Sequence, residues 1–151
     1  MAPIIRSRRP RRTVVMNTLT EPLSDELFLA AVEAGSEPSC HVANVRLGLL
    51  MTRHFTPGEA VRRLLELITR RAAERGGQVH VTMTVAWLAL IAHDGRQHLG
   101  DSAAFVRQHP WLARADHLMD FYEPATLASD AARHSLVPPD RSAIPGWSAF
   151  S

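Results

Sequence analysis

The sequence predicts a mainly α-helical protein, with a single orthogonal or bundle-like domain of five to six helices over residues 17–136. Three observations support this fold class. Apolar residues recur at spacings of three and four in several segments, and these segments begin at capping residues or prolines. The 151-residue chain is 46% hydrophobic and 21% charged, which is typical of a globular domain with one buried core. We expect a disordered basic arm over residues 1–16 and a proline-broken tail over residues 137–151.

The first two helices are predicted over residues 24–35 and 40–54. Ser24 is a favourable N-cap, and the two acidic residues after it are stabilised by the helix dipole. The second segment carries apolar residues almost all round, so we expect it to be central in the core. Gly48 in its middle costs up to about 1 kcal/mol relative to alanine, which indicates the close approach of another backbone.

The third helix, over residues 56–77, is the best defined by its sequence. Thr56 and Glu59 form a capping box, Pro57 is favourable at the first helical position, and two glycines end the segment. The apolar residues recur on one side: Val61, Leu64, Leu65, Ile68 and Ala72. The other side is charged: Glu59, Arg62, Arg63, Glu66, Arg70, Arg71 and Glu74. We therefore expect one face in the core and one face in solvent.

The junction of the second and third helices resembles a known family. Residues 48–54 read GLLMTRH and residues 59–64 read EAVRRL. This stretch, about residues 46–65, is similar to the ANTAR domain, a small helical RNA-binding module of bacterial antiterminators with the pattern A-K-G-x-L-M followed by E-A-x-x-x-L. Leu47 stands where that pattern has its lysine. The resemblance implies RNA binding through the exposed arginines of the second and third helices.

Residues 79–99 allow two interpretations. Residues 79–85 alternate between apolar and polar as a strand does, whereas residues 85–92 are eight consecutive apolar residues. An extended conformation gives a hairpin that turns at residues 94–95, and hence an α+β fold. We favour a helix over about residues 83–93, because alanine and leucine are good helix formers and no other segment offers strands to complete a sheet. This longest apolar run is far shorter than the roughly 20 residues that cross a bilayer, so no membrane-spanning helix is predicted.

Capping residues and prolines divide the remainder of the chain. A helix is predicted from residue 101 or 102 to 109, another from residue 110, and a last one from residue 124 to near 136. The tail carries Trp147 and Phe150 in polar surroundings. These aromatic side chains either fold back onto the domain or dock on a partner, and we favour the first because large apolar side chains gain most from burial.

All seventeen basic residues are arginines, and their distribution indicates nucleic-acid binding. The arm holds five of them and no acidic residue: Arg6, Arg8, Arg9, Arg11 and Arg12. The rest of the chain has twelve arginines against fifteen acidic residues, a net charge of −3. The third helix adds an exposed series: Arg62, Arg63, Arg70 and Arg71. We predict that both groups bind phosphates by counterion release. The alternatives are a solvated tail, even an upstream extension before Met16, and a salt-paired helix face.

Eight histidines raise the alternative of a metal or acid–base site. The tightest group is His93, His98 and Asp101, whose nitrogen and oxygen atoms are of the kind that bind divalent metals. The sequence contains no H-E-x-x-H, no paired cysteines and no glycine-rich phosphate loop, so we predict neither a cofactor nor a catalytic residue. The single cysteine, Cys40, is expected to be a buried, inert thiol.

These patterns favour a non-enzymatic bacterial regulatory or accessory protein that binds a macromolecule. A lone cysteine gives no disulfide framework, so we expect a cytoplasmic protein. Nucleic acid, RNA or DNA, is the favoured partner, and a protein partner or a second copy of the chain comes next because the helices are very apolar. No membrane partner is expected. The alternative is a small histidine-dependent enzyme or metal-binding protein.

Overall fold

The computed structural model describes residues 21–37 and 40–151, so the predicted basic arm lies outside the described residues. Within them the regular structure is helical, and no strand occurs. The α-helices are α1 (Asp25–Glu33), α2 (His41–His54), α3 (Pro57–Ala73), α4 (Val81–Gly95), α5 (Ser102–Gln108), α6 (Pro124–Ala128) and α7 (Asp130–His134). Three short 3₁₀ helices are also present: Pro110–Ala113, Ala115–Asp120 and Trp147–Ala149. No described helix combines the length and the apolar character that a membrane crossing requires.

The mainly α prediction is confirmed for the described residues, and the alternative hairpin over residues 79–99 is wrong. This segment forms α4, which starts two residues before the predicted helix and includes Gly95 instead of turning there. The Nδ1 atom of His80 accepts a hydrogen bond from the backbone N–H of Met83 at 3.2 Å and caps the helix. Helices and loops surround α4. Its eight consecutive apolar residues can therefore be buried on all sides, whereas a helix at the surface would leave some of them in water.

The last third of the chain is more finely divided than the sequence indicates. The segment after residue 110 forms two 3₁₀ turns, and the predicted helix over residues 124–136 is broken at Ser129. The Ser129 hydroxyl oxygen accepts a hydrogen bond from the backbone N–H of Ala132 at 3.1 Å and starts α7. Several of these short elements place apolar side chains in the group of buried residues that includes α4, and this anchoring stabilises them in place of a long hydrogen-bond ladder.

The core consists of two groups of buried side chains that meet at α4. One group joins α2 and α4 to α5 and the C-terminal elements, and the other joins α1, α2 and α3 to Leu88 of α4. Gly48 of α2 faces α4 directly. A Cβ atom at this position would lie 2.9 Å from Cδ1 of Ile91 and 3.4 Å from Cδ1 of Leu88. The close approach predicted at Gly48 is therefore present, but the neighbours are side chains of α4 and not its backbone.

A buried ionic network joins α1, α2 and α5. Arg46 is 7% exposed, and its guanidinium donates from Nε to Oγ of Ser102 at 2.8 Å and from Nη2 to the carbonyl oxygen of Leu23 at 2.7 Å. The same guanidinium lies 3.5 Å from the Asp25 carboxylate and 4.1 Å above the centre of the Phe28 ring. Asp25 also accepts hydrogen bonds from the backbone N–H and the hydroxyl of Ser102. One arginine thus fixes three helices.

Burial of Asp25 by itself would raise the pKa of its carboxyl group. The hydrogen bonds from the side chain and backbone of Ser102, together with the hydrogen bond and the positive charge of Arg46, act in the opposite direction and hold this pKa below its ordinary value of 3.8. The Asp25 carboxylate is therefore ionised in the folded protein at neutral pH, and the buried guanidinium of Arg46 balances its charge.

The C-terminal tail folds back onto the domain, as favoured for its aromatic residues. Trp147 and Phe150 pack against the core, and Ile144 is 3% exposed. The fully buried Thr82 of α4 holds the start of the tail, because its hydroxyl donates to the carbonyl oxygen of Ser135 at 2.7 Å and accepts from the backbone N–H of Val137 at 3.0 Å. The tail therefore forms part of the folded unit.

Candidate functional site

The arginines of α3 do not form one uniform surface. Arg62 pairs with Glu66 at 3.0 Å, and both side chains are more than half exposed, so this pair contributes little to stability. The guanidinium of Arg63 lies 4.2 Å from the centre of the Phe55 ring, and Arg70 is exposed. Arg71 is buried, unlike these three arginines and contrary to the predicted exposure of its side chain.

Arg71 faces the protein interior. It is 7% exposed, and its Nη2 donates a hydrogen bond to the carbonyl oxygen of Glu37 at 2.8 Å. It therefore anchors the connection between α1 and α2 and does not lie on the solvent face with Arg62 and Arg70. Position 71 follows Leu64 by seven residues and Ile68 by three, which places it on the apolar side of a regular helix, so helical position and not residue type decides its burial.

An apolar groove lies between α1, α2 and α3, and we call it the α1–α3 groove. Its volume is about 400 Å³. The groove is lined by apolar side chains: Leu29, Val32, Leu47, Leu50, Met51, Phe55 and Leu67. Four charged side chains line it as well, two of each sign: Arg63, Arg70, Glu33 and Glu66. Two of the arginines predicted to bind nucleic acid thus border an apolar groove.

Two of the three predicted metal-binding residues, His98 and Asp101, are engaged in local hydrogen bonds. The Nε2–H of His98 donates to the backbone carbonyl oxygen of Asp101 at 2.9 Å, and the carboxylate of Asp101 accepts from the backbone N–H of Ala104 at 2.6 Å to cap α5. His93 is exposed at the end of α4. Among residues 21–37 and 40–151, no three potential ligand side chains converge on one point. The structure therefore does not bring His93, His98 and Asp101 together as a metal site.

Cys40 is exposed immediately before α2, contrary to the expected buried thiol. Its neighbour His41 points elsewhere, since the Nε2–H of His41 donates to the carbonyl oxygen of Leu112 at 2.7 Å. No nucleophile and base are paired at this position.

A second depression, which the sequence patterns do not predict, lies between α2, α3 and α4. We call it the histidine pocket, after His41 of α2 and His80 at the start of α4. Its volume is about 200 Å³. Asn44, Thr84 and Trp87 contribute the other polar atoms of its wall, and the remaining lining is aliphatic or thioether. The sequence did carry a signal, because residues 41 and 44 and residues 80 and 84 have the spacings that place side chains on one helix face.

Each histidine of the pocket has one ring nitrogen whose hydrogen is fixed by a carbonyl oxygen. Because a carbonyl oxygen can only accept, the Nε2 atom of His41 and the Nε2 atom of His80, which lies 2.7 Å from the Leu127 carbonyl oxygen, each carry hydrogen. Nδ1 of His80 accepts from Met83, so both nitrogens of this ring are used and the ring is neutral. The ring of His41 lies 4.5 Å from that of Trp87. These contacts fix the pocket wall.

Asn44 provides the most unusual atom of the pocket. Its Oδ1 is buried and accepts no hydrogen bond, and no other buried side-chain polar atom of the described residues lacks a partner. A buried acceptor without a donor costs about 1 to 3 kcal/mol, so its presence in a folded protein requires an explanation.

Comparisons with known proteins yield no relative. No protein-family model matches the chain, no curated protein is detectably similar to it, and no solved structure matches its fold. The resemblance to the ANTAR domain accordingly stays a prediction, and function has to be argued from the geometry of this chain.

Proposed function

We propose that the protein is a non-enzymatic regulatory or accessory protein that binds another macromolecule, and that its helical domain receives a protein segment in the α1–α3 groove. The observation that carries this proposal is an apolar groove of about 400 Å³ between three helices, bordered by charged side chains of both signs. Grooves of this kind receive amphipathic helices, whose apolar residues recur every three or four positions. We also propose that the protein is cytoplasmic, because a single cysteine provides no disulfide framework.

The lining of the groove favours protein over nucleic acid as its occupant. Phosphates are bound where positive charge is concentrated, whereas Glu33 and Glu66 offset Arg63 and Arg70 here. An apolar floor gains free energy by covering other apolar side chains, which a sugar–phosphate backbone does not offer. The expected segment carries leucine-like residues on one face and acidic residues at the flank that meets the two arginines.

A photo-reactive amino acid at position 67 tests the groove. Leu67 is half-buried in the groove lining, and a matched control is the same amino acid at position 99, where Leu99 is 98% exposed outside the groove. On irradiation of cells we expect a discrete protein adduct from position 67 and none from position 99, with the crosslinked peptide forming an amphipathic helix.

The other outcomes of this experiment are equally specific. A crosslinked peptide from a second copy of this chain would identify the occupant as a homodimer partner. Adducts that nuclease removes would favour nucleic acid. The same adducts from positions 67 and 99, or none at either, would contradict a docking site in the groove.

Nucleic-acid binding is the second candidate function, and the charge distribution favours it. The five arginines of residues 1–16 make that segment strongly basic, and Arg62, Arg63 and Arg70 are exposed on the described domain. The ANTAR resemblance supports the same partner class, since it implies RNA binding by the arginines of α2 and α3. Glu66, which lies between these arginines, and the net charge of −3 outside the arm weigh against a strong contribution from the domain alone.

A salt titration tests this second candidate. If all five arginines of the arm contact phosphates of a single-stranded RNA, the slope of log K against log salt should become less steep by about 3.5 when the chain starts at Met16, since each phosphate contact contributes about 0.7. We would titrate both forms against labelled single-stranded RNA and duplex DNA. Unchanged binding after truncation would assign recognition to Arg62, Arg63 and Arg70, and replacing these three with glutamine should then abolish it. Absence of binding by the full-length protein would exclude this function.

A further inference from the structure

Three polar groups of the histidine pocket make no hydrogen bond to the described residues. They are the amide nitrogen of Asn44, the indole N–H of Trp87 and Nδ1 of His41. All three residues are half-buried, and among the described residues the one unpaired side-chain atom that is shielded from solvent is Oδ1 of Asn44. The three groups are therefore accessible, and the Asn44 amide turns its oxygen inward and presents its nitrogen.

The three groups lie at one corner of the pocket, which we call the polar corner. Positions 41 and 44 are three residues apart in α2, so their side chains lie on the same side of this helix. The ring of His41 lies 4.5 Å from the ring of Trp87, centre to centre, so α4 contributes its indole next to the imidazole. The polar corner thus holds two N–H donors and one imidazole nitrogen.

Protonation of His41 makes every group of the polar corner a donor. Nε2 of this ring already donates to the Leu112 carbonyl oxygen, so a proton at Nδ1 creates an imidazolium without breaking that contact. The other titratable residue of the lining, His80, differs because its Nδ1 accepts from the Met83 N–H. Among the described residues that line the pocket, none is aspartate, glutamate, lysine or arginine. The counter-charge for an imidazolium at position 41 therefore has to come from a bound molecule.

The remainder of the wall fits a small apolar body. Its aliphatic and thioether side chains are Val45, Leu64, Ile68, Met83, Leu88 and Ile91. The pocket volume of about 200 Å³ exceeds that of an apolar cavity of about 150 Å³ that holds benzene. The Thr84 hydroxyl donates to the carbonyl oxygen of His80 at 2.9 Å and is not a donor for a ligand. His117, whose ring lies 6.1 Å from that of Trp87, is paired with Asp120 at 3.0 Å.

We propose that the histidine pocket binds a small carboxylic acid with a ring-sized apolar body, in its carboxylate form. The carboxylate accepts hydrogen bonds from the Asn44 amide, the Trp87 indole and, after proton uptake, Nδ1–H of His41. Its two oxygens have lone pairs for all three donors, whereas a single carbonyl oxygen has lone pairs for two. The imidazolium supplies the opposite charge that an anion requires when it leaves water. This site is separate from the α1–α3 groove and does not depend on which macromolecule the protein binds.

Benzoate and benzamide are the test probes, since they have nearly the same shape and differ in charge. We would measure both affinities by calorimetry on the full chain and follow the indole N–H resonance of Trp87, which its loss in Trp87→Phe identifies. Benzoate should bind at millimolar concentration or below and shift this resonance. Its affinity should rise as the pH falls from about 8 to about 6, because binding brings a proton to His41 while the carboxylate stays ionised above about pH 5. Benzamide affinity should change little over this range.

Four variants test the individual groups. The ratio of benzoate affinity to benzamide affinity should fall about five- to tenfold in Asn44→Leu and in Trp87→Phe, because each removes a donor and a hydrogen bond to an ion is the stronger kind. Two independent substitutions ensure that a folding defect of one does not decide the result. His41→Gln keeps a donor for the Leu112 carbonyl oxygen but takes up no proton, so the pH dependence of benzoate binding should disappear. Gln97→Leu removes an exposed amide outside the pocket and should change neither quantity.

Three results would overturn the proposal. The first is that benzoate does not bind at millimolar concentration, and the second is that its affinity for the unaltered protein does not depend on pH. The third is an affinity ratio that is unchanged in both Asn44→Leu and Trp87→Phe. If benzoate binding were instead lost when Arg63 and Arg70 are replaced with glutamine, the anion would lie in the α1–α3 groove and not in the histidine pocket.

Discussion

Replacing Arg46 with methionine is expected to lower the free energy of unfolding by about 3 kcal/mol, because it removes one partner of a largely buried ion pair. The Asp25 carboxylate, whose side chain is 26% exposed, would keep its hydrogen bonds from Ser102 but lose its counter-ion. The carbonyl oxygen of Leu23 and the face of Phe28 would lose their contacts with the guanidinium as well. Urea unfolding followed by circular dichroism measures the change.

The matched control is Arg62→Met. Arg62 also pairs with an acidic residue, but on the surface, so we expect its replacement to change the free energy of unfolding by no more than about 0.5 kcal/mol. Equal effects of the two substitutions would mean that the network of Arg46 contributes no more than a surface pair.

The pH dependence of the Arg46→Met effect gives a second readout. The folded protein holds the pKa of Asp25 below 3.8, so the unfolded chain binds the proton more readily. The stability from this carboxylate is therefore complete above pH 3.8 and is lost as the pH falls through the lower, folded-state pKa. Protonation also removes the unpaired charge from the variant. The effect of Arg46→Met should thus be largest near neutral pH and shrink in acid, and a pH-independent difference would mean that lost packing alone explains it.

The elements that the sequence predicts best are those with strong local signals. The Thr56 hydroxyl accepts from the backbone N–H of Glu59 at 3.4 Å, and Pro57 is the first residue of α3, as the capping box indicates. For α4, helix propensity and the absence of partner strands correctly predict a helix. Both arguments are local or compositional, and neither requires knowledge of the packing.

The elements that the sequence predicts less well are stabilised by distant contacts. The two 3₁₀ turns after residue 110 are held by Leu112 and Leu118, each buried against residues of the core, and no local pattern distinguishes such turns from a regular helix. The break at Ser129 depends on a side-chain cap that serine provides in many contexts without ending a helix. Short segments adopt the conformation that the surrounding core permits.

The candidate sites show the same limit. The histidine pocket combines His41 and His80, which are 39 positions apart in the sequence, and only the packing of α2 against α4 brings them to one cavity. The group around His98 is predicted because its members are close in sequence, but in the structure Asp101 caps α5 and His98 donates to the Asp101 carbonyl oxygen instead. Proximity along the chain was therefore a poor guide to convergence of side chains, and the helical spacing within α2 and within α4 was the better signal.

Truncating Leu88 to alanine is expected to lower the free energy of unfolding by about 3 to 4 kcal/mol, the usual cost of deleting a buried leucine side chain. Leu88 is 0% exposed and is the residue of α4 that joins the group of buried side chains from α1, α2 and α3. Leu99→Ala is the control: Leu99 is 98% exposed, so its truncation should change the free energy of unfolding by no more than about 0.5 kcal/mol. A cost below about 1 kcal/mol for Leu88→Ala would contradict the central position of α4.

The packing of α2 against α4 can also be tested by combining a substitution at Gly48 with Leu88→Ala and measuring whether their effects on stability are coupled. Gly48→Ala gains up to about 1 kcal/mol of helix propensity, but its methyl group would meet Ile91 at 2.9 Å and Leu88 at 3.4 Å. In the Leu88→Ala background one of these two contacts is gone, and the methyl group partly fills the space that the leucine leaves. Gly48→Ala should therefore be more favourable in that background by about 0.5 to 1 kcal/mol, measured as a double-mutant cycle. If the stability effects of Gly48→Ala and Leu88→Ala were strictly additive, positions 48 and 88 would not be in contact, because substitutions at contacting positions are coupled.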